Sequence, residues 1–147
     1  MIQNILLIHE TGFGLVSRSY GDDSKDLDLF GGLLAAISSF AENLMGDAIN
    51  EIRMDHHNIF YESEQGVVLA IITPKRTISR RKISAIMRKI HSNFLERYSE
   101  YLRQDFLEPK NFEEFSFEID SILRKNGVLG TKSSPVKEKI ISTLKQK

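Results

Sequence analysis

Two histidine pairings carry the first suggestion of chemistry in this sequence. His9-Glu10 and His56-His57 combine side chains that bind metal ions or move protons near neutral pH. Adjacent residues in a strand or turn point apart, however, and neither pairing has a third ligand at a useful spacing, so no metal centre is expected from them. Gly12-Phe13-Gly14 carries two glycines of a dinucleotide-binding fingerprint without the rest. It lies between two strand-like runs, not between a strand and a helix, and reads as a turn. There is no phosphate-binding P-loop, no Gly-x-Ser-x-Gly elbow around any serine, and no carboxylate pair that stands out as an acid-base couple. Because the chain has no cysteine, thiolate nucleophiles, disulfides and Cys-type zinc sites are excluded. No catalytic residue, cofactor or metal is therefore expected. The dense charge cluster Lys75, Arg76, Arg80, Arg81 and Lys82 suits anionic lipid, phosphate or an acidic protein surface. Most such runs are only solvated, and cations at a helix N-terminus oppose its dipole.

The elements that must carry these residues come from a chain of 147 residues, 41% hydrophobic and 27% charged, the composition of one globular domain. Twenty Lys and Arg balance twenty Asp and Glu, which argues against a surface built to neutralise nucleic acid, and no nucleic-acid partner is expected. The longest apolar runs, Ile5 to Ile8 and Val67 to Ile72, fall far short of the roughly 20 residues of a membrane helix. Met1 opens directly into a strand-like run and not a signal peptide. A cytoplasmic, unprocessed protein is the expectation. A domain of this size buries about two thirds of its unfolded surface, enough for a core without staples.

Within the strand-like run Ile2 to Ile8, Ile5-Leu6-Leu7-Ile8 is apolar at consecutive positions, which predicts a central strand covered on both faces. A turn over His9 to Gly14 leads into Leu15 to Tyr20, whose alternation suits an edge strand. After a polar loop, Leu27, Phe30, Leu33, Leu34, Ile37, Phe40, Ala41 and Leu44 recur three and four apart and predict a helix, with Asp26 as N-cap and Gly46 just past its end. Ile49 to Met54, Asn58 to Glu64 and Val67 to Thr73 then read as an antiparallel meander, joined by Asp55-His56-His57 and Gln65-Gly66. The last of the three is again apolar throughout and should pair with the first strand. Ile83, Ile86, Met87, Ile90, Phe94, Tyr98 and Tyr101 define the buried face of a long second helix. Asn111 with Glu114 resembles a capping box for a third, carrying Phe112, Phe115, Ile119 and Ile122 and ending near Gly127, while Phe117 faces elsewhere.

The order β-β-α-β-β-β-α-α, with a five-stranded antiparallel-type sheet, one helix on one face and two on the other, resembles the longin domain, an α-β-α sandwich of the α+β class. Ile5-Leu6-Leu7-Ile8-His9-Glu10-Thr11-Gly12, Leu15 to Tyr20 and Phe30-Gly31-Gly32-Leu33-Leu34-Ala35-Ala36-Ile37-Ser38-Ser39-Phe40 look like the hairpin and first helix of longin-type trafficking proteins and their archaeal relatives. Ala70-Ile71-Ile72-Thr73, followed by Ile90, Phe94 and Tyr98, continues the likeness. Roadblock domains are related but begin with a helix, and this sequence begins with a strand. The reading is a longin-like domain over residues 1–127 and a basic tail over 128–147, where a longin SNARE would continue into a coiled coil and an anchor.

The resemblance implies a non-catalytic interaction module of membrane-trafficking type, cytoplasmic or peripheral at membranes, binding a small GTPase or another longin- or roadblock-like subunit, a homodimer included. Its expected interface is the first helix with the strand after it: Leu29, Gly32, Leu33, Ala36, Ser39 and Phe40, then Ile49, Glu51 and Arg53. The residues themselves suggest a second face to bury, since this helix is apolar over much of its circumference. A mid-helix glycine costs about 1 kcal/mol relative to alanine, which close approach of another backbone offsets; that backbone is either the helix's own sheet or a partner's. In the tail, Val136, Ile140, Ile141 and Leu144 stand at helical spacing among lysines, suiting a membrane surface or a partner groove, although the segment is polar enough to stay unfolded alone. Two alternatives stand beside this reading: a lipid- or nucleic-acid-surface binder using the basic cluster and tail, and an enzyme whose site is assembled across a dimer.

Overall fold

The computed structural model describes residues 2–20, 27–75 and 78–128, with backbone alone at 27–29. Five strands form one antiparallel sheet: β1 (Asn4–His9), β2 (Gly14–Ser19), β3 (Glu51–Arg53), β4 (His57–Glu64) and β5 (Val67–Pro74), in the spatial order β2-β1-β5-β4-β3. The helices are α1 (Leu27–Phe40), α2 (Arg80–Tyr98) and α3 (Phe115–Lys125).

The two fully apolar runs are adjacent at the sheet centre, where Ile5 pairs with Ile71 and Leu7 with Leu69. Side chains alternate across a strand. Ile5, Leu7, Val67, Leu69 and Ile71 therefore join the core under α2 and α3, while Leu6, Ile8, Val68, Ala70 and Ile72 join the core under α1. Each run is apolar at every position because each face has a layer to meet. The β4-β5 connection is a two-residue turn with positive φ at both Gln65 (50°) and Gly66 (78°), the mirror-image turn whose twist suits a hairpin.

The core beneath α2 and α3 is centred on Phe94, whose ring lies 4.9 Å from Tyr98, 5.1 Å from Phe115 and 5.8 Å from Phe112 between centroids. Tyr101 leaves this layer: α2 ends at Tyr98, and Tyr101 begins a separate 3-10 turn (Tyr101–Arg103) in which it is exposed. The expected capping box is also not formed. Asn111 closes a 3-10 turn that starts at Pro109, and Glu114 makes no side-chain cap bond but pairs with Arg97 of α2 at 2.9 Å. Phe112 and Phe115 are buried and Phe117 is exposed, as their spacing predicts.

Where β2 meets α3, Arg18 and Asp120 are 6% and 3% exposed and form a two-pronged ion pair, Nε to Oδ1 at 3.0 Å and Nη2 to Oδ2 at 2.5 Å. The Tyr20 hydroxyl donates to the same carboxylate. Burial by itself would lower the Arg18 pKa; the hydrogen bond and charge of Asp120 outweigh it and raise the value above its ordinary range, so the guanidinium stays charged.

On the opposite face, the Tyr61 hydroxyl donates to the Leu34 carbonyl at 3.3 Å, and burial holds its pKa well above the ordinary 10.0. A tyrosine that titrates at its ordinary value only when unfolded contributes stability that is complete below pH about 10 and declines as pH rises beyond it. Thermal melts taken from pH ~9 to ~11.5 should show a shallower alkaline decline for Tyr61→Phe, by up to about 1.4 kcal/mol per pH unit above 10. Parallel declines in the two proteins would refute a hydroxyl kept neutral by burial.

Candidate partner interface

The inner side of α1 is set by small residues. A Cβ added at Gly31 would lie 3.3 Å from Ile8 Cγ1, so glycine there lets the helix rest directly on β1. Ala35 and Ser38 are buried on the same side, and Leu34 anchors it. For these residues the close neighbour is the helix's own sheet. Gly32 differs: nothing lies within 4 Å of an added Cβ, and Ala36 and Ser39 are likewise turned outward.

The predicted apolar stripe of α1 is therefore two stripes. Leu33 and Phe40, expected in the interface, are 59 and 62% exposed, and Leu44 and Met45 are 69 and 73% exposed. For Leu44 and Met45 the physical reason lies in the end of the helix. Regular α-helix stops at Phe40, and a π turn over Ala41–Met45 follows, closed by Gly46 in the left-handed conformation (φ 66°). The wider turn shifts the phase of the side chains, leaving Ala41 buried and Leu44 and Met45 outside. The expected N-cap Asp26 lies outside the described residues, as does the side chain of Leu29.

Beside this surface, the predicted strand Ile49 to Met54 narrows to the three residues of β3, an edge strand paired to β4 alone. Ile49 and Ile52 are half-buried against the α1-side core. Glu51 stands opposite Phe60 and so projects to the other face, where Arg80 donates to it and Arg53 lies 3.4 Å from its second oxygen. Of the expected interface, Gly32, Leu33, Ala36, Ser39 and Phe40 thus form one outward surface, while Ile49 lies beneath it and Glu51 and Arg53 lie round the sheet edge.

The basic cluster is dispersed by the fold. Ser79 caps α2 by accepting from the Lys82 N–H at 3.2 Å, and Lys82 Nζ approaches the end of α3 at Gly127. Arg80 is engaged by Glu51, while Lys75 and Arg81 are exposed and Arg76 lies outside the described residues. The tail residues Val136, Ile140, Ile141 and Leu144 are outside them as well. Among the described residues no helix is long and apolar enough to cross a membrane.

Neither histidine pairing singled out in the sequence gathers a three-residue ligand set among the described residues. His9 Nδ1 lies 2.8 Å from the Thr11 hydroxyl, inside its own turn. A different trio was missed: Glu62, Glu64 and His91 come together between β4 and α2. Its signal was present as a Glu-x-Glu spacing on a strand and a histidine four residues after the core residue Met87.

No family model and no curated protein matches the sequence. Solved structures do match its fold. MglB of Myxococcus xanthus superposes with a TM-score of 0.57 at 15% identity, over 67% of this chain and 85% of that one. The mammalian SRP receptor structure gives 0.56 at 10% identity, over 86% and 95%. The gliding protein MglB of Thermus thermophilus gives 0.44 at 18% identity, over half of this chain, which spans only 62% of its length. With the sheet order and the placement of one helix against two, the first two likenesses show that this chain has a longin-like fold.

Proposed function

We propose that this protein is a non-catalytic interaction module that docks through the outer face of α1 and the adjoining β3 edge, and that the first occupant of that surface is a second copy of the chain. The observation that carries this is the exposure of Leu33, Phe40, Leu44 and Met45 on one helix and its terminal turn, since large apolar side chains gathered on a surface favour association. Charge on the neighbouring edge favours a like partner. Two β3 strands laid antiparallel about Ile52 would set Glu51 of each opposite Arg53 of the other, two attractive pairs in a two-fold arrangement, with backbone groups of both edges satisfied. A longin- or roadblock-like subunit of similar shape is the heteromeric version of the same contact. The longin-like fold and the sequence resemblance support a small GTPase as the partner of the resulting assembly, in a complex of membrane-trafficking type.

The test is solution mass by light scattering for wild type, Ala36→Arg and Phe40→Asp. The wild type should run as a dimer and both variants as monomers, with unfolding free energies within about 0.5 kcal/mol of wild type because these positions face outward. A monomeric wild type at all concentrations, or dimers that survive both substitutions, would refute this face.

A further inference from the structure

Glu62 and Glu64 lie two residues apart on β4 and so project to the same side, toward α2. Glu62 lies opposite Leu69 and Glu64 opposite Val67, both residues of the core beneath that helix. The pairing of β3 to β4 reaches only Phe60, so the β4 edge next to Glu62 and Glu64 carries no β3 partner in the ladder. From α2 comes His91, fully buried. One ligand atom from each of the three side chains falls within 4.8 Å of the other two.

The imidazole is the decisive group. Its Nε2 lies 3.3 Å from the Glu64 backbone carbonyl, an acceptor, so in a neutral ring Nε2 carries the proton and Nδ1 the lone pair. That Nδ1 is buried without a hydrogen-bond partner, and a Glu62 carboxylate oxygen stands 3.1 Å away. A lone pair beside a carboxylate with no hydrogen bond between them is repulsive unless something positive lies nearby. A backbone carbonyl accepting from one ring nitrogen, a free lone pair on the other and two carboxylates nearby is how proteins present histidine to a metal ion. One imidazole and two carboxylates are nitrogen and oxygen donors of the kind borderline divalent ions accept, and the two negative charges balance a dication. From this geometry we infer that Glu62, Glu64 and His91 form a binding site for a divalent transition-metal ion of the Zn2+ or Mn2+ class. Bound there, the ion ties the end of β4 that runs past β3 to the middle of α2, on the face of the sheet opposite α1. Its position makes it independent of the proposed docking surface.

The experiment is calorimetric titration of chelator-treated full-length protein with ZnCl2 and, separately, MnCl2, alongside nitrogen-15 NMR of the histidine rings. Wild type should take up one ion per chain, with the His91 Nδ1 resonance shifting on binding and the thermal midpoint rising with metal. Glu64→Gln, on the exposed rim, should fold normally and weaken binding by more than about tenfold, the least expected even from loss of a group that only hydrogen-bonds a ligand. His91→Gln should do the same. A triple variant with His9, His56 and His57 each changed to Asn should bind as wild type does. The inference is overturned if Glu64→Gln binds unchanged, if the triple variant loses the ion and so reveals surface coordination, or if the His91 ring stays doubly protonated beside Glu62 at saturating metal, an ion pair in place of a site.

Discussion

Asp120→Ala is expected to destabilise the fold by about 3–5 kcal/mol, because it strands the Arg18 guanidinium in a nearly dry position with its principal partner gone. Arginine cannot escape by losing its proton, because the guanidinium is effectively never deprotonated in a protein. The Tyr20 hydroxyl, which donates to that carboxylate, would lose its acceptor too. A loss of this size is a large fraction of the 5–15 kcal/mol by which domains are typically stable. Chemical denaturation followed by circular dichroism would measure it. The double variant Arg18→Met with Asp120→Leu should recover most of the loss, since apolar residues of similar volume can replace a buried pair at little cost. A cost below about 1 kcal/mol for Asp120→Ala would mean that water reaches the pair and that β2 and α3 are not clasped there.

Phe94→Ala should be as damaging, at about 3–5 kcal/mol, through the cavity left at the centre of the layer of α2 and α3. The ring is fully buried and contacts Tyr98, Phe112 and Phe115, the residues by which the segment after Pro109 is held to α2. Edge-to-face geometry with Phe115, at an interplanar angle of 79°, adds to the area term. Phe94→Leu, which refills part of the space, should cost much less. Because this layer and α1 lie on opposite faces of the sheet, the fraction of Phe94→Ala that remains folded should associate as wild type does. A variant that loses association while still folded would show that the two layers are coupled through the sheet.

These cases mark where local pattern suffices. Consecutive apolar residues in β1 and β5 announced burial on both faces, and the structure places them side by side with a layer over each. The alternation of Leu15 to Tyr20 announced an edge, and β2 is one. In α1 the same kind of reasoning suggested a second face to bury but did not divide the apolar arc between the two. Spacing by three and four fits a broad apolar arc, and nothing in the spacing says which part of it meets the sheet. Gly31 resolves this physically, since only the side without a Cβ can rest on Ile8, and Leu33, Ala36 and Phe40 are carried outward by the same rotation.

The sequence by itself determined the order of elements, the central position of the first and last strands and the burial of Phe94, Phe112 and Phe115, because side-chain period and apolar run length are properties of neighbouring residues. Tertiary structure alone decided the rest. It joined Arg18 to Asp120 across 102 residues, turned Leu44 and Met45 outward by a π turn, and brought His91 of α2 against Glu62 and Glu64 of β4. Each of these depends on the angle and register at which two elements pack, which are set by the fit of whole surfaces and not by any window of the chain.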